Sequence, residues 1–298
     1  MIGVGLCMLS VYEMGVRHTP CTLAQKIQKR YTKCKKTATE QRRLSGTIST
    51  TVKGPHMKKR TKVILSVCLS LFLIIGIGGY AYVSDYYRAD EAALAAIAYQ
   101  TDQVQIERDG DVIWFVPEEP TAGLILYPGG KVEHTAYAPL LRVCAENGIL
   151  CALVRMPGNL AVLNVNAADG LREKHSEVTI WYIAGHSLGG AMAANYAAAH
   201  SEDYSGLILL AAYSTQDLSQ TPLRVLSVYG SEDRVLNRDA YKKNWANLPA
   251  DTTEVVLDGG CHAQFGSYGP QDDDGIPTIS GKEQISQTVE AITTFAVQ

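Results

Sequence analysis

From about residue 104 onward, short continuous apolar runs alternate with segments whose apolar residues recur at helical spacing. "VQIERDGDVIWFVP" predicts two strands turning at Asp109-Gly110, and "AGLILYPGG" a buried strand that ends in glycines. "AYAPLLRVCAENG" carries a helical pattern closing on Gly148, and "ILCALVRMP" is the next apolar run. "GNLAVLNVNAADGLREKH" predicts helix only in pieces. The strand "VTIWYIAG", the helix "AMAANYAAAH" and the strands "GLILLAAY" and "LRVLSVYG" follow. The helix "NRDAYKKNWANL", the strand "TEVVLDGG" and a closing helix in "KEQISQTVEAITTFAVQ" complete the order. Continuous apolar strands separated by helices predict an α/β fold with a mainly parallel sheet, covered by helices on both faces. Ligands bind such sheets at the carboxyl ends of the strands.

Upstream the pattern changes. Val63 to Val83 is an uncharged apolar run of 21 residues, close to the ~20 that cross a bilayer as a helix. Lys58, Lys59, Arg60 and Lys62 precede it and only Arg88 follows closely, which predicts a cytoplasmic N-terminus and a downstream domain outside. The run exceeds the ~7 to 15 apolar residues of a secretory signal, which predicts an uncleaved signal anchor. Cleavage near Ala81, releasing a secreted enzyme, is the alternative.

The net charge of -3 hides an asymmetry: residues 1–62 hold 14 of the 27 Lys/Arg but only Glu13 and Glu40 of the 30 acids, leaving 13 basic and 28 acidic residues downstream. An acidic outer domain argues against nucleic acid as its partner. The expected organisation is a basic, disordered tail over 1–56, an n-region and transmembrane helix over 57–83, a linking helix over 84–103 and a catalytic domain over 104–298. "MKKRTK" has the composition of an export n-region, so translation is expected to start at Met57.

Of seven cysteines, Cys144, Cys151 and Cys261 fall in the outer domain, without paired metal spacing, and are expected to be buried small side chains. "QDDDG" lacks the alternating acids of a calcium loop and reads as a polar surface turn.

The chemistry centres on "YIAGHSLGG". Ser187 follows a buried strand and precedes an alanine-rich helix, flanked two residues away by Gly185 and Gly189. That is the context of a nucleophile elbow, in which a strained turn lifts a serine above the sheet. A serine needs a base and an orienting carboxylate, here expected in the order Ser, Asp/Glu, His. Asp233 in "SEDRV" and His262 in "CHAQFG" follow later strands at the same edge, with Glu232 as the rival acid. His186 is expected to point away from the nucleophile along the turn, and His134, His175 and His200 sit less well. The oxyanion donors are expected to be the backbone N–H of Leu188 and that of Gly130 or Lys131 in "YPGGKV", with Gly130 favoured.

Together "AGHSLGG", "YGSEDRV" and "GGCHAQFG" resemble the α/β-hydrolase fold superfamily. "LYPGGKVEHTAYAPLL" and "HAQFGSYGPQ" resemble its bacterial fold-5 subgroup, related to dienelactone hydrolases. The resemblance runs from about Val104 to the C-terminus and implies a Ser-His-Asp hydrolase with no metal or organic cofactor and a small-molecule ester as substrate. It assigns the triad roles to Ser187, Asp233 and His262. Two departures stand out: dienelactone hydrolases carry a cysteine at the Ser187 position, and Pro128-Gly129 replaces the usual His-Gly of the oxyanion loop. Only "STQDLSQTP" separates "GLILLAAY" from "LRVLSVYG", too little for a lid domain, so a minimal cap and a shallow site suited to short-chain esters are expected. A peptidase or acyltransferase using the same triad, or a surface binding module without turnover, are the competing readings.

Overall fold

The computed structural model describes residues 28–33 and 58–297. Apart from 28–33, which are helical, the basic tail 1–56 and the candidate start Met57 lie outside the described residues. The chain divides into two units, Met1–Leu69 and Ser70–Gln298. Helix α1, Lys59–Ser84, crosses that division with no buried residue along its 26 positions. It is the one described helix long and apolar enough to cross a membrane.

Beyond it come α2 (Glu91–Ala98), β1 (Val104–Asp109), β2 (Val112–Pro117), β3 (Ala122–Tyr127), α3 (Ala138–Glu146), β4 (Ile149–Val154) and β5 (Trp181–His186). They are followed by α4 (Leu188–Ala199), β6 (Gly206–Leu210), β7 (Arg224–Gly230), α5 (Arg238–Asn244), β8 (Thr253–Leu257) and α6 (Gly281–Val297). The strands form one eight-stranded sheet in the order β1-β2-β4-β3-β5-β6-β7-β8. Pairing is antiparallel at β1/β2 and β2/β4 and parallel everywhere else.

Two cores explain why the central strands read as unbroken apolar runs. Along β3, Leu124 and Leu126 enter the core beneath α3 and α6, while Ile125 and Tyr127 enter the other, beneath α4. Along β4, Cys151 and Leu153 take the first side and Leu150 and Ala152 the second. Successive side chains point to opposite faces, so a strand covered twice must be apolar at every position. Cys144, Cys151 and Cys261 are buried free thiols.

The expected helical pieces between β4 and β5 are three short 3-10 turns, Pro157–Asn159, Ala161–Leu163 and Arg172–His175. No helix or strand interrupts 211–223 between β6 and β7, in line with the minimal cap. Residues 84–103 do more than link. Asp90 caps α2 by accepting from the Ala93 N–H at 2.9 Å, and Ala93 is wholly buried.

Candidate active site

Ser187 occupies the turn between β5 and α4 with φ 52 and ψ -121, a region that residues with a Cβ rarely adopt. Its backbone N–H is held by the Leu210 carbonyl at 2.9 Å, and its side chain does not cap the helix it begins. Glycine is required on either side of that turn. A Cβ at Gly185 would collide with the Gly189 carbonyl, and one at Gly189 with the Tyr127 and Pro128 carbonyls. Both obstacles are backbone, which cannot rotate away. Gly189→Ala is therefore expected to destabilise the fold by at least about 2 kcal/mol, an overpacking cost read directly in a denaturant titration.

Asp233 and His262 follow β7 and β8 at the same sheet edge. The Asp233 Oδ2 accepts from His262 Nδ1 at 2.9 Å, and both side chains are almost fully buried. The other carboxylate oxygen, Oδ1, accepts from the Val235 and Leu236 N–H groups at 2.9 and 2.8 Å, which fixes the carboxylate plane. Glu232, the rival acid, turns to the Ser231 hydroxyl instead, and Asp258 is exposed.

The amides of the loop after β3, the candidate oxyanion loop, are used differently. Gly129 N–H donates to the Tyr137 hydroxyl at 3.0 Å, and Lys131 N–H to the Asn159 carbonyl at 2.8 Å. That leaves the amide of Gly130 without a hydrogen bond among the described residues, beside Leu188. A Cβ on Gly130 would stand 2.9 Å from Leu188 Cδ2. Lys131 takes the positive φ of 58 that closes the turn.

Three contributors escaped the sequence reading. His186 is 1% exposed, its Nδ1 lies 2.7 Å from the Tyr137 hydroxyl, and its ring sits 4.5 Å from that of His262. The Tyr137 hydroxyl thus accepts from Gly129 and shares a second hydrogen bond with His186 Nδ1. Burial, reinforced by His262, drives the His186 pKa well below the usual histidine value, so the ring stays neutral. Gly129, Tyr137 and His186 thus tie the oxyanion loop to the elbow.

Asp274 is the third. Within "QDDDG", Asp272 and Asp273 are surface residues as expected, but Asp274 is half-buried and accepts from the N–H groups of His262 at 3.2 Å and Ala263 at 2.9 Å. It pins the His262 loop. Among the described residues no group of three or more His, Cys, Asp or Glu side chains could hold a metal ion.

A cavity of about 950 Å³ lies behind the His262 loop, against Cys261, Ala263 and Gln264, and is not lined by Ser187, Asp233 or His262. A polar cavity of about 530 Å³ flanks the oxyanion loop, lined by Tyr86, Glu133, His134 and Arg155. Burial, with Arg155 beside it, holds the His134 pKa down at about 4.

Residues 123–286 match the alpha/beta hydrolase family. Among solved structures, the chain is similar to TT1662 from Thermus thermophilus at 16% identity, with 65% of this chain and 98% of that one covered and a TM-score of 0.49. It is similar to dienelactone hydrolase from Anabaena variabilis at 16% identity, covering 64% and 98%, with a TM-score of 0.47. A soluble variant of monoglyceride lipase from Saccharomyces cerevisiae, in complex with a substrate analog, aligns at 12% identity over 67% and 96%, with a TM-score of 0.47. No curated protein matches the sequence.

Proposed function

The chain belongs to the alpha/beta hydrolase family, and from that premise we propose that it is a membrane-anchored serine esterase using Ser187, His262 and Asp233. The observation that carries the reading is the buried Asp233–His262 hydrogen bond at the edge where Ser187 holds its strained turn. His262 Nε2 takes the Ser187 hydroxyl proton as the oxygen attacks the ester carbonyl. The tetrahedral oxyanion is met by the N–H groups of Leu188 and Gly130. Collapse expels the alcohol, which takes its proton from His262, and leaves an acyl-enzyme. Water, deprotonated by His262, then attacks the acyl carbon, and breaking the Ser187 ester bond returns the proton to the serine oxygen. Asp233 holds the imidazole in the tautomer that leaves Nε2 free to accept, and stabilises the imidazolium.

Helix α1 serves as an uncleaved anchor with Lys58, Lys59, Arg60 and Lys62 on the cytoplasmic side and the catalytic domain outside, supported by its length, its apolar surface and its flanking charges. A fluorophosphonate probe is expected to label the wild-type protein and to leave Ser187→Ala unlabelled. Equal labelling of both, or none of the folded wild type, would remove the serine-hydrolase reading.

A further inference from the structure

The end of α1 is tied across both loops that frame the candidate site. Tyr87 forms a parallel bridge with Val132 of the oxyanion loop: its N–H donates to the Lys131 carbonyl at 2.8 Å, and its carbonyl accepts from Glu133 N–H at 2.9 Å. The Glu133 carboxylate accepts from Ala89 N–H at 3.1 Å. On the other side, Asp90 N–H donates to the Ser267 carbonyl at 2.9 Å, and the Tyr87 hydroxyl accepts from Asp272 N–H at 3.1 Å, both partners lying in the segment that follows His262. The Tyr87 and Tyr268 rings are 5.6 Å apart. Lys131 itself reaches back to the helix end, 2.8 Å from the Asp85 carboxylate and 5.0 Å from the Tyr82 ring centre.

The tether is also short. α1 ends at Ser84 and the bridge begins at Tyr87, a span of at most about 10 Å of extended chain. Exposed Tyr80 and Tyr82 on the last turns, with Tyr86 and Tyr87 just beyond, are residues that settle at a bilayer surface. Near the same helix end lies Leu163, 59% exposed, preceded in the chain by Val162, 53% exposed. Leu163 and Val83 both border Gly158, where a Cβ would stand 3.1 Å from Val83 Cγ1 and 3.7 Å from Leu163 Cδ1. The loop carrying Lys131 thus lies at the end of the membrane helix, with exposed Leu163 close to Val83 of that helix.

Building on the esterase and anchor readings, we infer that the substrate is an ester borne by a molecule resident in the bilayer, presented to Ser187 from the membrane surface. The apolar part of such a substrate stays in lipid and needs no tunnel in the protein. Water enters from the solvent side, and the acyl and alcohol products part at the interface.

The test uses the full chain reconstituted in phosphatidylcholine vesicles, with 4-methylumbelliferyl oleate in the same bilayer and p-nitrophenyl acetate in solution. The readout is the ratio of the two turnover rates. Val162→Asp combined with Leu163→Asp is expected to lower that ratio at least tenfold. So is a twenty-residue Gly/Ser insertion between Ser84 and Asp85, which leaves the strap from Tyr87 onward docked but lengthens the tether. An unchanged ratio in both variants, or a wild type that splits the acetate and not the oleate, would overturn the inference. If neither ester is split and fluorophosphonate labelling fails, the esterase reading is what has failed. If alkaline carbonate extracts the protein from its vesicles, the anchor reading has failed.

Discussion

Ser187→Ala is expected to lower kcat/KM for p-nitrophenyl acetate by about 10⁴-fold or more, with His262→Ala costing about as much and the double variant little beyond either. The lack of additivity is the diagnostic part. A nucleophile and its base act as one unit, so once the hydroxyl is gone the imidazole has no proton to take. In the proposed mechanism, residual turnover then comes from binding and from the N–H groups of Leu188 and Gly130. The strained turn supplies a second readout that activity alone does not. At φ 52 and ψ -121 a Cβ is disfavoured, so Ser187→Gly should be about 1 kcal/mol more stable than Ser187→Ala. For a domain of this size that is roughly 2–4 °C in Tm, measured by thermal unfolding of the two inactive variants. A serine in an ordinary connecting turn would show neither the loss of rate nor the gain in Tm.

The difference between what sequence reveals here and what it conceals follows the reach of each interaction. The strand and helix order was legible because sheet burial leaves a periodic record in neighbouring residues, as in the two-faced runs of β3 and β4. The tight turn at Ser187 was legible for a partly local reason: Gly185 clears the backbone of Gly189 four residues on, whereas Gly189 clears the distant carbonyls of Tyr127 and Pro128. The engagement of the Lys131 amide was not legible, because its acceptor, the carbonyl of Asn159, lies beyond a whole helix and strand. For a similar reason the contacts of His186 were not legible. Its partner Tyr137 lies 49 residues earlier, and no local pattern marks a tyrosine whose hydroxyl will meet both Gly129 and an imidazole. Asp274 looked like one of three surface acids because the N–H groups it accepts from lie eleven and twelve residues earlier, with no periodic pattern between. Likewise, the pairing of Tyr87 with Val132 leaves no trace in the alanine-rich stretch read as a linker.

Asp233→Asn is expected to cost about 10⁴-fold in kcat while leaving the fold intact, and Glu232→Gln to change kcat by less than about threefold, since surface substitutions rarely matter beyond small effects. The asymmetry follows from how each oxygen of Asp233 is used. Oδ1 accepts from the N–H groups of Val235 and Leu236, a role the amide oxygen of asparagine can keep. The amide nitrogen is then forced to the Oδ2 position, 2.9 Å from His262 Nδ1, where the carboxylate accepted a proton-bearing nitrogen. Facing a donor, His262 must carry its hydrogen on Nε2, the nitrogen that has to receive the serine proton. The base is therefore in place but in the wrong tautomer, so kcat falls while KM for a short soluble ester stays nearly constant. Steady-state kinetics on p-nitrophenyl acetate, with near-ultraviolet circular dichroism as a check on folding, separates this from a packing defect. If Glu232→Gln suffers the larger loss, the carboxylate that orients His262 during turnover is the neighbour, and the loop after β7 must shift register when substrate binds.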